Sequence, residues 1–367
     1  MHLWDVFCYY FWNEKFWFPD GVSWSDLENK DDGFYHPQRT DLLWVFPIAA
    51  LLFVLRKVFE RFIAKPVALA LGLKQNTCRV KPNLILEDAY KVARSPTDDM
   101  LQGLSKKTSM SRRQVERWFR VRRNQDIPSL LKKFAEGSWR FVYYLIIFFV
   151  GLYVLSDKPW FLDVDKCWES FPHQHVPESI KWYYLVELSF YVSLMFSQFF
   201  DVKRKDFFEM FVHHVATISL MFFSWCNNMV RIGTLILVVH DACDYLLELS
   251  KLLNYLKWDK ICNSVFATFA LMWLITRLTI FPFWIIHSTL FTAIKVVGFC
   301  NIYYLYNTFL ILLQILHVVW FIFIAKVAYQ ALFKGQITKD ARSETEEEIS
   351  EEEKSVPVAN GLKQTGR

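Results

Sequence analysis

The sequence predicts an all-α polytopic membrane protein. It would have about seven transmembrane helices, a small cytosolic helical homeobox-like domain and a disordered acidic tail. Three observations carry that expectation. Of the 367 residues, 53% are hydrophobic and 18% aromatic, which is too apolar for an ordinary soluble domain. Long apolar stretches recur along the chain, and about twenty such residues cross a bilayer as a helix, the form that pairs every backbone polar group internally. Charge is segregated: Lys106–Lys133 holds ten Lys/Arg against Glu116 and Asp126, whereas Asp340–Lys354 holds eight acids against Arg342 and Lys354.

Residues 1–41 open with LWDVFCYYFWNEKFWFP. Asp5 interrupts the first apolar run and no basic stretch precedes it, so a signal peptide is not expected. The aromatic rings read as an interfacial segment at headgroup level. A first span follows at 42–63, crowded at its end by Arg56, Lys57, Glu60 and Arg61. Residues 66–129 are charged and rich in helix formers. A membrane region occupies 131–332, with spans at Phe141–Leu155, Trp182–Phe200, Phe207–Trp225, Ile232–Leu253, Cys262–Ile286 and Ile302–Leu332. The last two are long enough to tilt, or to kink at Pro282. The tail, 333–367, is too polar to bury a core.

Basic residues favour the cytosolic side of a membrane, which places the N-terminus in the lumen and the C-terminus in the cytosol. Seven scattered cysteines without CxxC spacing exclude a zinc or dithiol motif and leave a disulfide among Cys8, Cys167, Cys226 and Cys300 open. No Asn-x-Ser/Thr sequon is present.

Within 66–129, SRRQVERWFRVRRNQDIPS resembles the third helix of a homeodomain through Trp118–Phe119 and its basic run. The invariant adenine-reading Asn of that helix is replaced by Val121. This argues against sequence-specific DNA binding and for a basic face that meets membrane lipids or an acidic ligand.

The chemistry concentrates in two spans. His213 and His214 lie in an otherwise apolar stretch, and the next span carries His240, Asp241, Asp244 and Glu248. Ionisable residues at membrane depth are costly and read as functional. His213 lies eight residues after Lys205 and Asp244 seven before Lys251, about 12 and 10 Å from one membrane face, so the two sets share a layer. Asp206, Glu209, His213, Thr217 and Ser224 form one polar stripe; Thr234, Asp241, Asp244, Glu248 and Lys251 form another. Facing stripes would line a cavity open to the cytosol. An imidazole with a carboxylate partner suits acyl transfer, as general base or as the acyl acceptor itself. The alternatives are a structural hydrogen-bond network and a di-iron site, for which the imidazoles are too few. His287 and His317 read as satisfied near helix ends, and His173 and His175 as loop residues.

The stretch DVKRKDFFEMFVHHVATISLMFFSWCNNMVRIGTLILVVHDACDYLLELSKLLNY (201–255) resembles the longevity-assurance motif of ceramide synthases. The helices around it resemble the TRAM–Lag–CLN8 membrane domain. FWNEKFWFP, RFIAKP and KDARSE extend the likeness along the chain, and HHVATI and FSWC look nearest to the very-long-chain vertebrate members.

The resemblance implies an N-acyltransferase of the endoplasmic reticulum membrane. It would join fatty acyl-CoA, as co-substrate, to a sphingoid long-chain base. It implies no metal or further cofactor, and a homo- or hetero-dimer with other family members. His213, His214, Asp241 and Asp244 match the catalytic positions, with an acyl-imidazole on His213. Acyl length in the family depends on the loop here at 290–301. The second class of function is a non-catalytic lipid sensor or tethered regulator on the same fold, which loss of the HH or HDxxD residues would have favoured. In the tail, Ser343, Thr345 and Ser350 each have an acid three residues on, which suits acidophilic kinases and predicts phosphorylation.

Overall fold

The apolar stretches fold as helices where periodicity and length place them. The computed structural model describes residues 9, 11–30, 33–73, 80–126, 129–202 and 204–334. Ser343, Thr345 and Ser350 lie outside the described residues, as does Cys8. The described residues divide into two compact units, one within 1–64 and 135–334, the other within 65–134.

The larger unit holds the long helices α1 (Val45–Phe59), α5 (Leu130–Leu155, from residue 135 on), α6 (Glu178–Ser197), α7 (Phe207–Cys226), α8 (Val230–Tyr255), α9 (Asp259–Ile275) and α10 (Ile302–Lys334). The smaller unit holds α2 (Leu84–Val92), α3 (Asp98–Thr108) and α4 (Arg112–Asp126). Helix therefore occupies every predicted span.

Five of these stretches are long and apolar enough to cross a membrane on those grounds alone: Arg39–Ala70, the one ending at Leu155, Phe207–Cys226, Asp259–Val297 and Ile302–Gln330. The other two, α6 and α8, match them in length at 20 and 26 residues. Their hydropathy is lowered by Lys181 and Glu187 on α6, and by Arg231, Asp241, Asp244, Glu248 and Lys251 on α8.

Two departures from regular helix bear on the interior. After α9 the chain widens into π-helix over Thr276–Ile286 and again over Ser288–Thr292. Pro282 lies inside the first; its missing N–H and its ring cannot continue an α-helical ladder, and a widened turn absorbs the mismatch. The short helix Ala293–Val297 then ends at Gly298, whose φ of 91° favours glycine.

Among the described residues of the aromatic opening, Trp17 and Phe18 pack into the core of the larger unit. Trp17 is fully buried, its Nε1 donates to Phe11 O at 2.6 Å, and it stacks on Trp12 with centroids 5.5 Å apart. Indoles so packed against one another and against Phe223 bury a large apolar area. Arg56 is likewise buried. It is paired with Glu60 and Asp201 at 2.6 Å each, which explains how charges fit at the end of the first span.

In the smaller unit α2, α3 and α4 close on Leu86, Tyr90, Leu101, Val115, Trp118 and Phe119. Asn83 caps α2 by accepting from the backbone N–H of Ile85 and Leu86. Trp118 Nε1 donates to Lys81 O at 2.9 Å.

Candidate active site

His213 and His214 follow each other on α7, both buried, with ring centroids 5.8 Å apart. Successive residues on a helix point about 100° apart, and the two rings meet different surroundings. His214 Nδ1 lies 3.0 Å from Gln198 Oε1. The amide of Gln198 is oriented by its own Nε2, which donates to Phe207 O at 2.7 Å. Its Oε1 must therefore accept, so the proton of His214 sits on Nδ1 and Nε2 keeps its lone pair. His213 packs edge-on against Trp320, centroids 5.4 Å apart. Its Nδ1 has no hydrogen-bond partner among the described residues.

The two carboxylates expected to serve these imidazoles have other partners. Asp244 Oδ1 accepts from Arg277 Nη2 at 3.1 Å. Asp241 is fully buried and faces the carboxyl of Glu187, also fully buried, on α6. The two carboxyls lie within hydrogen-bond reach of each other, and no other N–H or O–H of the described residues reaches either. Neither Asp has a described hydrogen bond to His213 or His214. His213, His214 and Asp244 border one cavity, Asp241 borders neither cavity because it is turned to Glu187, and the four do not form one hydrogen-bonded set.

Arg277, contributed by the π-helical stretch, ties that layer together. Its Nη2 also donates to His240 O at 2.6 Å and its Nη1 contacts His317 Nε2 at 3.1 Å. The guanidinium lies over Trp273, 5.0 Å from the ring centroid. His317 is thus fully buried in mid-helix and bound to a cation, not satisfied at a helix end. His240 donates from Nδ1 to Ile236 O of its own helix at 2.7 Å, which leaves it structural. His287 is exposed against Phe291, and His175 Nδ1 accepts from the backbone of Tyr35 at 2.9 Å.

Two cavities meet at this layer. The first, about 240 Å³, is bordered by His213, His214, Asp244 and Arg277 and continues to Arg140, Arg204 and Lys251. Glu248 Oε1 accepts from Arg140 Nε at 3.1 Å and from Lys251 Nζ at 2.8 Å, and Asp201 lies 3.6 Å from Arg140. The second, about 80 Å³, is narrow and apolar; it runs away from the charged residues between Leu220, Met221, Ile236 and Leu313. His213 and Tyr191 border both. The 290–301 loop contributes Ala293, Ile294, Val297, Gly298 and Cys300 to the second. Among the described residues no three His, Cys, Asp or Glu side chains converge as metal ligands.

Glu187, Gln198, Arg277 and His317 were not expected from the sequence. The one available signal was that Glu187 and Arg277 are charges at membrane depth.

In the smaller unit the basic face of α4 divides. Arg122 pairs with Glu87 at 2.9 Å and with Asp126, and Arg123 donates to Arg94 O at 3.1 Å. Arg113, Arg117 and Arg120 are exposed and make no ion pair among the described residues. Partial burial pulls the Asp126 carboxyl up. The hydrogen bonds from Arg122 and Tyr90 outweigh this and hold it below the ordinary carboxylate range.

A helical membrane unit with a polar layer between two cavities, joined to a three-helix basic domain, defines the class. Residues 133–326 match the family model of the TLC domain and residues 76–126 that of the homeodomain. Human ceramide synthase 5 is 47% identical over 93% of this chain and 88% of its own length. Human ceramide synthase 3 is 44% identical over 92% and 88%, and mouse ceramide synthase 4 is 42% identical over 95% and 89%. The chain belongs to the ceramide synthase family.

Proposed function

We propose that this protein is an acyl-CoA-dependent sphingoid base N-acyltransferase that makes ceramide by acyl transfer through His213. The observation that carries the route is that His213 borders both cavities. The first cavity has a rim of Arg140, Arg204 and Lys251, suited to the phosphates of coenzyme A. The second is apolar and suits the fatty chain. A thioester whose head lies in one space and whose tail lies in the other has its carbonyl at His213. At 80 Å³ the second space takes a chain only as side chains such as Met221 yield, which a thioether with free rotors does readily.

In the first half-reaction the unprotonated ring nitrogen of His213 attacks the thioester carbon and the C–S bond breaks. The proton of the acyl-imidazolium passes to His214 Nε2 and on to the departing thiolate. Arg277, fixed in the same cavity, is the cation available to the developing oxyanion. In the second half-reaction the sphingoid ammonium first loses a proton to solvent. The free amine then attacks the acyl carbon and the C–N bond to the imidazole breaks. The proton lost by the new amide nitrogen, carried through His214, returns to His213. One proton is released per amide formed, and no further cofactor is needed. Asp244 balances Arg277 through these charge changes.

An endoplasmic reticulum membrane with the N-terminus lumenal puts the charged rim on the cytosolic side, where acyl-CoA is met; the basic residues at the span ends support that orientation. Replacement of His213 with Ala tests the route. Amide synthesis from acyl-CoA and sphinganine should disappear while the protein still inserts in the membrane. Turnover within a few-fold of wild type would refute it.

A further inference from the structure

The second cavity runs away from the histidine layer, and one residue that lines it lies outside that layer and outside the 290–301 loop. From His213 its walls follow α7 to Ser224 and α8 from His240 back to Met229. Each path covers eleven residues, about 16 Å of helix. On α10 the walls run from Leu313 to Tyr303, ten residues and about 15 Å. Three helices thus end the space at one level. Between α5 and α6 the loop carries Trp168, whose buried indole lines the cavity, and Arg231 at the start of α8 donates to Lys166 O of that loop at 3.2 Å.

The ring is fastened in place. Trp168 Nε1 donates to Ser288 Oγ at 2.8 Å. Its loop is braced on both sides of the indole by buried Gln174, whose Nε2 donates to Cys167 O at 2.7 Å and to Glu169 O at 2.9 Å. Asn228, at the turn between α7 and α8, donates to Pro172 O and Gln174 O at 2.8 Å each. An indole hydrogen-bonded at its edge and carried by a braced loop is a wall, not a lid.

We infer that Trp168 is a specificity-determining residue: its indole is the floor of the acyl cavity and limits the length of fatty chain transferred. The inference rests on the acyl-transfer reading above. A chain whose first carbon is held at His213 reaches the indole with its methyl end. One carbon more must displace the ring or leave methylenes unburied. In apolar pockets one methylene changes specificity by about 10- to 200-fold, so a fixed floor discriminates sharply.

The test offers the full-length protein in microsomes an equimolar mixture of acyl-CoAs from C16 to C26 with sphinganine, and the ceramides formed are resolved by mass. Trp168→Ala should raise the ratio of product from chains longer than the wild-type optimum to product at that optimum by about tenfold or more. Because deleting a buried indole also costs stability, Trp168→Phe is made alongside. It keeps most of the ring and should move the ratio the same way by a smaller factor. An active Phe variant with the wild-type distribution, a shift toward shorter chains, or a loss equal at every length would overturn the floor. None of those results touches the acyl-transfer reading, which stands or falls on His213→Ala.

Discussion

Gln198 accepts the Nδ1 proton of His214 at 3.0 Å, and its own amide is held by the carbonyl of Phe207. Two hydrogen bonds therefore set the tautomer of an imidazole that lines the first cavity, with its proton-accepting nitrogen free. Replacing Gln198 with Leu keeps the bulk and removes the acceptor. The rate constant for amide formation should fall by about tenfold, the worth of a hydrogen bond of roughly 1.4 kcal/mol, with the KM for acyl-CoA little changed. Glu in place of Gln restores an acceptor and should recover part of the rate. A Leu variant with an unchanged rate constant would remove Gln198 from the mechanism.

Asp244 and Arg277 form a partly buried ion pair, and the two ends of such a pair are not equivalent to remove. Arg277→Met leaves Asp244 without its cation and deprives His317 and the His240 carbonyl of their donor. It should lower stability by less than the roughly 3–5 kcal/mol that orphaning a fully buried charge costs, seen as a lower Tm in detergent. Asp244→Asn keeps an acceptor for Arg277, so it should cost less stability while still reducing activity. Equal Tm losses in the two variants would contradict this ordering.

The arginines of α4 should separate by function. Arg117→Glu with Arg120→Glu should weaken binding to vesicles containing phosphatidylserine, and added salt should narrow the difference from wild type. Arg122→Glu should instead loosen the smaller unit by breaking its pairs with Glu87 and Asp126. Hydrogen exchange across α2 and α4 would reveal it. Discrimination between DNA sites by more than about 2 kcal/mol, as good base contacts give, would contradict a surface that lacks the adenine-reading Asn.

Acid should act on that unit through Asp126. Its carboxyl is held below the ordinary value of 3.8 when folded, so the stability it contributes is present above that value. That contribution is lost as pH falls through the folded value. Protection of α2 and α4 in the full-length protein should therefore decline as the medium is taken from pH 5 toward 3. Asp126→Asn should flatten that part of the decline. The same slope in wild type and variant would assign the acid sensitivity elsewhere.

Much of this was legible in the chain because it is periodic or local. The spans announce themselves by length, and the layer shared by His213 and Asp244 follows from counting residues to the nearest basic ends. The partners were not legible, because they come from helices far apart in sequence. Nothing near Asp244 names Arg277, 33 residues on, and nothing near Asp241 names Glu187. His317 is one of a few polar residues in an apolar helix, a pattern equally suited to a satisfied helix end. The cavity floor depends on a loop whose brace, from Gln174 and Asn228, crosses 54 residues. The packing of Trp12, Trp17 and Trp24 on one another was not legible for a related reason: indoles at a headgroup and indoles packed together have the same composition.

The central claim is that the acyl group passes through His213. Its most direct measurement is mass spectrometry of the protein incubated with acyl-CoA in the absence of any sphingoid base. One acyl group should appear on the peptide carrying His213, be absent from His213→Ala, and leave as ceramide when sphinganine is added. An adduct on another residue that sphinganine also discharges, or normal ceramide synthesis by His213→Ala, would contradict the account.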